Sequence, residues 1–110
     1  MTRLTSRPGP TVRLRLAWHG QPNVEAEPLA PTAWQLALHR HPQGDLYWMV
    51  SDIETGRMVA CDVDRERAIR QAQTRLTTLA ETQHTTVEAL LEQIRASARA
   101  EGDAHANLLE

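Results

Sequence analysis

The sequence predicts an α+β fold: a four-stranded, mainly antiparallel sheet built as a β-meander, followed by one long or two C-terminal α-helices. Three observations carry this. Between Trp34 and Val63, apolar runs of strand length are separated by short breaks, Pro42-Gln43-Gly44-Asp45 and Glu54-Thr55-Gly56, the pattern of consecutive hairpins. From Asp64 onward, apolar residues recur every three or four positions, as on one face of a helix. All six prolines lie at or before Pro42, so the helical half is uninterrupted.

In chain order, residues 1–10 are polar and end in Pro8-Gly9-Pro10, which suits a mobile arm. Residues 11–19 alternate, with Val12, Leu14, Leu16 and Trp18 on one face and Arg13, Arg15, Ala17 and His19 on the other: a half-buried strand. Gly20-Gln21-Pro22-Asn23 closes it, and the proline-bearing stretch to Pro31 reads as a surface loop. The second strand, about 33–41, puts Trp34, Leu36 and Leu38 opposite Gln35, Ala37, His39 and His41. A third, about 46–53, is apolar on both faces, with Leu46, Trp48 and Val50 opposite Tyr47, Met49 and Ile53, as expected of a strand covered on both sides. The fourth is about 57–63.

Asp64 is placed to cap a helix over about 65–82, whose apolar stripe is Ala68, Ile69, Ala72, Leu76, Leu79 and Ala80. A second stripe, Val87, Leu90, Leu91, Ile94 and Ala98, defines a helix over about 86–100, with Thr85-Thr86-Val87-Glu88 as a capping box in which Thr85 is the cap. Because the two stripes are in phase, a single helix of about 35 residues and ~52 Å is the alternative. Residues 102–110 form a tail, and 11–101 are a single domain.

Composition excludes more than it selects. A 110-residue chain with 41% hydrophobic residues can bury one core. The net charge of −2 gives no global pull toward nucleic acid or anionic membrane, so either contact would need a local patch. Cys61 is the only cysteine, so no intrachain disulfide can form; with no apolar run of membrane-spanning length, the expected compartment is the cytoplasm. All 12 basic residues are arginine, the usage of a GC-rich bacterial, phage or mobile-element genome.

No phosphate loop, nucleophile elbow or paired-cysteine motif is present, so no catalytic residue and no cofactor is assigned. His39 and His41, two apart on a strand, are the remaining metal-ligand candidates, with Asp52, Cys61 or Asp62 as a third ligand; the plain reading is two surface histidines beside a turn. The acids Asp45, Asp52, Glu54, Asp62 and Asp64 cluster by sequence, but capping and turn chemistry account for them. Cys61 reads as an inert buried thiol. Arg13, Arg15, Arg65, Arg67 and Arg70 are the candidates for a nucleic-acid patch; Arg65, Arg67 and Arg70 crowd a helix start, where cations oppose the dipole, although Glu66 can pair with Arg70. The large side chains of the stripe Val87, Leu90, Leu91, Ile94 and Ala98 are worth roughly 6–12 kcal/mol of burial. They must cover the chain's own core or meet a partner: another protein or, with Arg65 to Arg75 set against Glu81 to Glu92, a second copy in a homodimer.

The run Trp48-Met49-Val50-Ser51-Asp52-Ile53-Glu54-Thr55-Gly56, then Val59 to Ile69 with Ala72 and Leu76, resembles the hairpin-to-helix section of HicB-like antitoxins. The resemblance covers about 45 residues. It departs in the strand at 11–19 and in the second helical stripe, which stands where the family has a final strand or a DNA-binding ribbon. It implies a small, partial RNase H-like sheet that binds and neutralises a partner protein, and no binding residue carries over. The expected function is therefore a small non-catalytic protein-binding regulator or inhibitor, antitoxin-like or directed at a host system. A nucleic-acid-binding module and a metal-dependent enzyme are the alternatives.

Overall fold

The computed structural model describes residues 3–6, 9–17, 22–42, 44 and 46–109, the last nine as backbone only. Trp18, His19 and Asp45 lie outside this set, so their sequence assignments are not addressed by it. Among the described residues six strands precede two helices: β1 (Thr5–Ser6), β2 (Val12–Arg15), β3 (Asn23–Ala30), β4 (Leu36–Arg40), β5 (Trp48–Asp52), β6 (Met58–Asp62), α1 (Arg65–Thr82) and α2 (Val87–Leu109). A 3-10 turn at Thr32–Trp34 leads into β4, so Trp34 precedes the strand it was assigned to. The sheet is antiparallel throughout, in the order β1-β3-β4-β5-β6, with β2 pairing along β3 beyond β1.

The meander of β4, β5 and β6 and the two helices match the sequence expectation, and the strand count exceeds it by two. The stretch before Pro31, read as a loop, is β3, the longest strand. Pro22 and Pro31 flank it, and Pro28 lies where the outer neighbour changes from β2, paired with residues 23–26, to β1, paired with 29–30. The outer ladder is already interrupted there, so a missing N–H is tolerated. Part of the expected N-terminal arm is also structured. Leu4 is buried in the core, its N–H bonded to Gln73 Oε1 on α1 at 2.8 Å, and β1 follows directly.

Alternation along the strands creates two cores. Leu36, Leu38, Val50 and Ala60 point to the helix side, where they meet Ala68, Ile69, Ala72, Leu76, Leu90 and Leu91. Ala37 points to the other side and packs with Leu14, Leu16 and Ala26. The β2–β3 hairpin thus curls over the face opposite the helices. Its end latches onto the β5–β6 turn, where the Ala17 N–H donates to the Gly56 carbonyl at 2.9 Å. Gly56 has φ +72°, and a Cβ there would collide with the Arg15 carbonyl.

The helical region is broken, and no glycine or proline does it. His84 adopts a left-handed conformation (φ 54°), its N–H bonds the Glu81 carbonyl, and the Thr85 N–H reaches back to Ala80 O at 2.9 Å. These are the two bonds of a Schellman ending with histidine in the usual glycine position. α2 is then capped by Thr86, whose Oγ1 accepts from the Ala89 N–H at 3.1 Å. The cap is therefore one residue later than the capping-box pattern placed it. Asp64 caps α1 as expected, accepting from the amides of Glu66 and Arg67. α2 continues through Leu109, so the expected tail is helical backbone.

Candidate functional site

The apolar strip of α2 is used within the chain. Leu90 and Leu91 are 2% and 3% exposed in the helix-side core, and Val87 and Ile94 pack partly buried against it. Ala98, farther along, is half-buried. The strip expected to meet a partner or a second copy is therefore covered by α1 and the sheet, because the short Schellman link folds α2 back.

Polar contacts fix that docking. Arg95, one turn beyond Leu91 on the buried face, donates through Nε to Asp52 Oδ1 at 2.8 Å and through a terminal nitrogen to the Trp34 carbonyl. The other Asp52 oxygen accepts from the Thr55 N–H and hydroxyl. The Trp34 indole N–H donates to Glu88 Oε1 at 2.9 Å, which holds that carboxyl below its ordinary pKa. Sequence reasoning placed Asp52 among acids and passed over Arg95; a cation in register with Val87 and Leu91 was the available signal.

His39 and Ser51 form a second buried pair. The imidazole Nδ1–H donates to the Arg40 carbonyl at 2.7 Å, which leaves Nε2 to accept the Ser51 hydroxyl at 2.8 Å. This has the hydrogen bonding of a base beside a nucleophile. But His39 is 2% and Ser51 0% exposed, and neither residue lines a groove along α1, so the pair serves to satisfy polar groups beneath the curled hairpin. Burial holds the His39 pKa below its ordinary value. With both ring nitrogens engaged, His39 has no lone pair to share with His41 in a metal site. Among the described residues, no group of three or more His, Cys, Asp or Glu has a geometry suited to a metal ion.

The five candidate nucleic-acid arginines do not form one surface. Arg13 and Arg15 lie on the curled hairpin, across the sheet from α1. Arg65 is held by Glu27 at 2.6 Å and by Ser6 Oγ, and with Arg40 it lies over the Trp48 ring. Trp48 is thereby covered as a stacking platform. Arg67 and Arg70 are exposed on α1 and have no ion pair among the described residues; the Glu66–Arg70 pair does not form.

The outer side of α1 borders the open edge of the sheet at β6. Arg75 donates to the Val59 carbonyl at 2.8 Å, and Gln71 donates to Asp62 at 2.6 Å. Val59 is an extra residue in β6, since Ala60 pairs with Val50 and Met58 with Ser51. Beyond Arg75 a mainly apolar groove of about 340 Å³ runs between β6, α1 and α2, walled by Met58, Val59, Leu76, Leu79, Leu91 and Ile94, with Arg57, Arg75 and the Arg95–Asp52 pair also reaching it. On its rim Met58 is 51% and Leu79 41% exposed. A shallower depression of about 360 Å³, lined by Arg67, Arg70, Gln71, Thr74 and Arg75, continues it along α1. Cys61 on the same strand has its pKa raised by burial and by Asp62, against the opposing pull of Arg75, so it is a protonated thiol at neutral pH.

The chain matches no protein-family model, no curated protein and no solved structure. No described helix is long and apolar enough to cross a membrane.

Proposed function

We propose that this chain is a small non-catalytic regulator or inhibitor that acts by docking another protein at the open β6 edge. One observation carries the reading: the apolar groove lined by Met58, Leu79 and Ile94 opens beside a strand that has no neighbour on its outer side among the described residues. Unpaired edge strands next to apolar grooves are places where proteins take up extended segments. Exposed apolar side chains gathered at a groove mark an interaction surface better than the same residues scattered. The two buried polar pairs, by contrast, are almost wholly buried and bonded within the chain, the Arg95–Asp52 pair forming part of the groove floor. The order β5, Gly56 turn, β6, capped α1 is the part of the chain that resembles HicB-like antitoxins, and neutralising a partner protein is the form of regulation we propose.

The test is affinity capture from the source cell with wild-type protein and with Met58→Glu and Leu79→Glu. A protein retained by the wild type and lost from both variants supports the reading. A protein profile unchanged by either variant counts against it.

A second reading has one observation in its favour: Arg67 and Arg70 are exposed on α1, beside Arg75, with no ion pair among the described residues. As a nucleic-acid module the chain would bind DNA or RNA with a steep salt dependence. Absence of any mobility shift at 50 mM salt would remove it.

A further inference from the structure

We infer that the β6 edge takes an extended, acidic segment of a different protein, added as a further strand, with the pattern apolar-x-acid-x-x-x-acid along the face beneath α1. This rests on the protein-docking reading and specifies the chemistry of the partner.

The pattern follows from how α1 lies along β6. Asp62 is bonded to Gln71, Val59 to Arg75, and Met58 shares the groove wall with Leu79. Strand and helix therefore run in opposite directions and keep pace over the length of β6, although the extra residue Val59 makes the intermediate pairings uneven. Four strand residues at ~3.3 Å cover ~13 Å, and eight helix residues at ~1.5 Å cover ~12 Å. Arg67, Gln71, Arg75 and Leu79, four apart on α1, consequently form a row above the sheet margin. Each step of ~6 Å equals two residues of an added strand. Counting from the groove, position one of the guest lies over Met58, Leu79 and Ile94 and must be apolar. Position three meets Arg75 and is acidic. Position five meets Gln71 at Asp62, the end of β6, and is polar; position seven runs past the end of the strand, where it meets Arg67 and is acidic.

Charge also selects against a second copy. Joining two β6 strands about a two-fold axis would bring the Arg67–Arg75 row of one chain against the same row of its partner, and like charges in register oppose pairing. Arg75 spends one donor on Val59 O and keeps its other N–H groups for a carboxylate.

The experiment is an NMR titration of the full chain with two capped heptapeptides, Leu-Thr-Glu-Thr-Ser-Thr-Glu and its reversed sequence, because strand addition can run either way. The same peptides with lysine for glutamate are the controls. The inference expects one acidic peptide to shift the amides of residues 58–62, binding about tenfold more tightly than its lysine counterpart. It also expects Arg67→Glu with Arg75→Glu to reverse that preference. Equal binding of both charge types, shifts centred away from β6, or no shift at millimolar peptide would overturn it. The docking reading is judged separately. If capture is lost in Met58→Glu and Leu79→Glu while the peptides fail, docking stands and strand addition falls. If single-stranded DNA, titrated in parallel, perturbs α1 while the peptides do not, the nucleic-acid reading replaces both.

Discussion

The Arg95 guanidinium on α2 lies 2.6 Å from the Asp52 carboxylate at the end of β5, with both side chains almost sealed from solvent. The bonds of Arg95 and Glu88 tie the last helix to the 3-10 turn before β4 and to the end of β5. Breaking one partner of a buried pair leaves a charge without compensation, which costs far more than the intact pair contributes. Arg95→Ala and Asp52→Ala are each expected to lose about 3–5 kcal/mol in urea unfolding. The double replacement Arg95→Met with Asp52→Leu is expected to recover part of that. Single losses below about 1 kcal/mol would show that water solvates the site.

His39 gives a pH dependence whose sign is fixed. Burial lowers its pKa in the folded chain below the ordinary 6.5, so the folded state favours the neutral ring. Between the folded value and 6.5 the unfolded chain binds more protons, so stability falls as pH drops below 6.5 and is fully present above it. Urea midpoints of the wild type and His39→Gln, measured from neutral pH to pH 5, should converge as acid is added. Parallel curves would mean the ring titrates alike in both states.

Gly56 sets the closure of the hairpin. With φ +72° and the Arg15 carbonyl where a Cβ would stand, Gly56→Ala is expected to cost about 2–4 kcal/mol and to loosen the protection of the Ala17 amide from hydrogen exchange. At Gly44 an added Cβ meets nothing within 4 Å, so Gly44→Ala is the control and should change stability little. Equal effects at the two positions would count against the latch.

The break between the helices makes opposite predictions at neighbouring residues. His84 bears the strain of a left-handed backbone, so His84→Gly should raise stability by about 1 kcal/mol. Thr86 is the cap, so Thr86→Ala should lower stability by about 1 kcal/mol and Thr85→Ala by less. Thermal unfolding distinguishes this from the capping box the sequence suggested, which would reverse the order of the two threonines.

Substitutions on the groove rim should separate folding from binding. Met58 and Leu79 are exposed, so Met58→Glu and Leu79→Glu are expected to stay within about 0.5 kcal/mol of the wild type while abolishing capture of the partner. A large drop in stability for either variant would make that side chain part of the core.

What the sequence discloses here depends on whether the signal is local. The alternation Leu36-Ala37-Leu38 assigned the correct faces because both cores are built from a period of two, and Asp64 announced α1 because a cap bonds amides two and three residues away. β3 was hidden because prolines mark loops by default, and nothing local shows that Pro28 falls at a gap in the ladder. The single-helix alternative stayed open because a histidine, lacking glycine's freedom, closes the Schellman ending. The docking groove was not legible at all: it brings together Met58, Leu79 and Ile94, whose proximity depends on α2 folding back over α1.

The curl of the sheet also bears on colloidal behaviour. A chain that polymerises head to tail requires two matching free margins, one at each end of its sheet. Here one margin is β6, while the opposite one is split into pieces of two and four residues, the longer turned under toward Gly56. Stacking by edge addition therefore has a place to begin and none to continue from, which favours a single engagement over fibre growth.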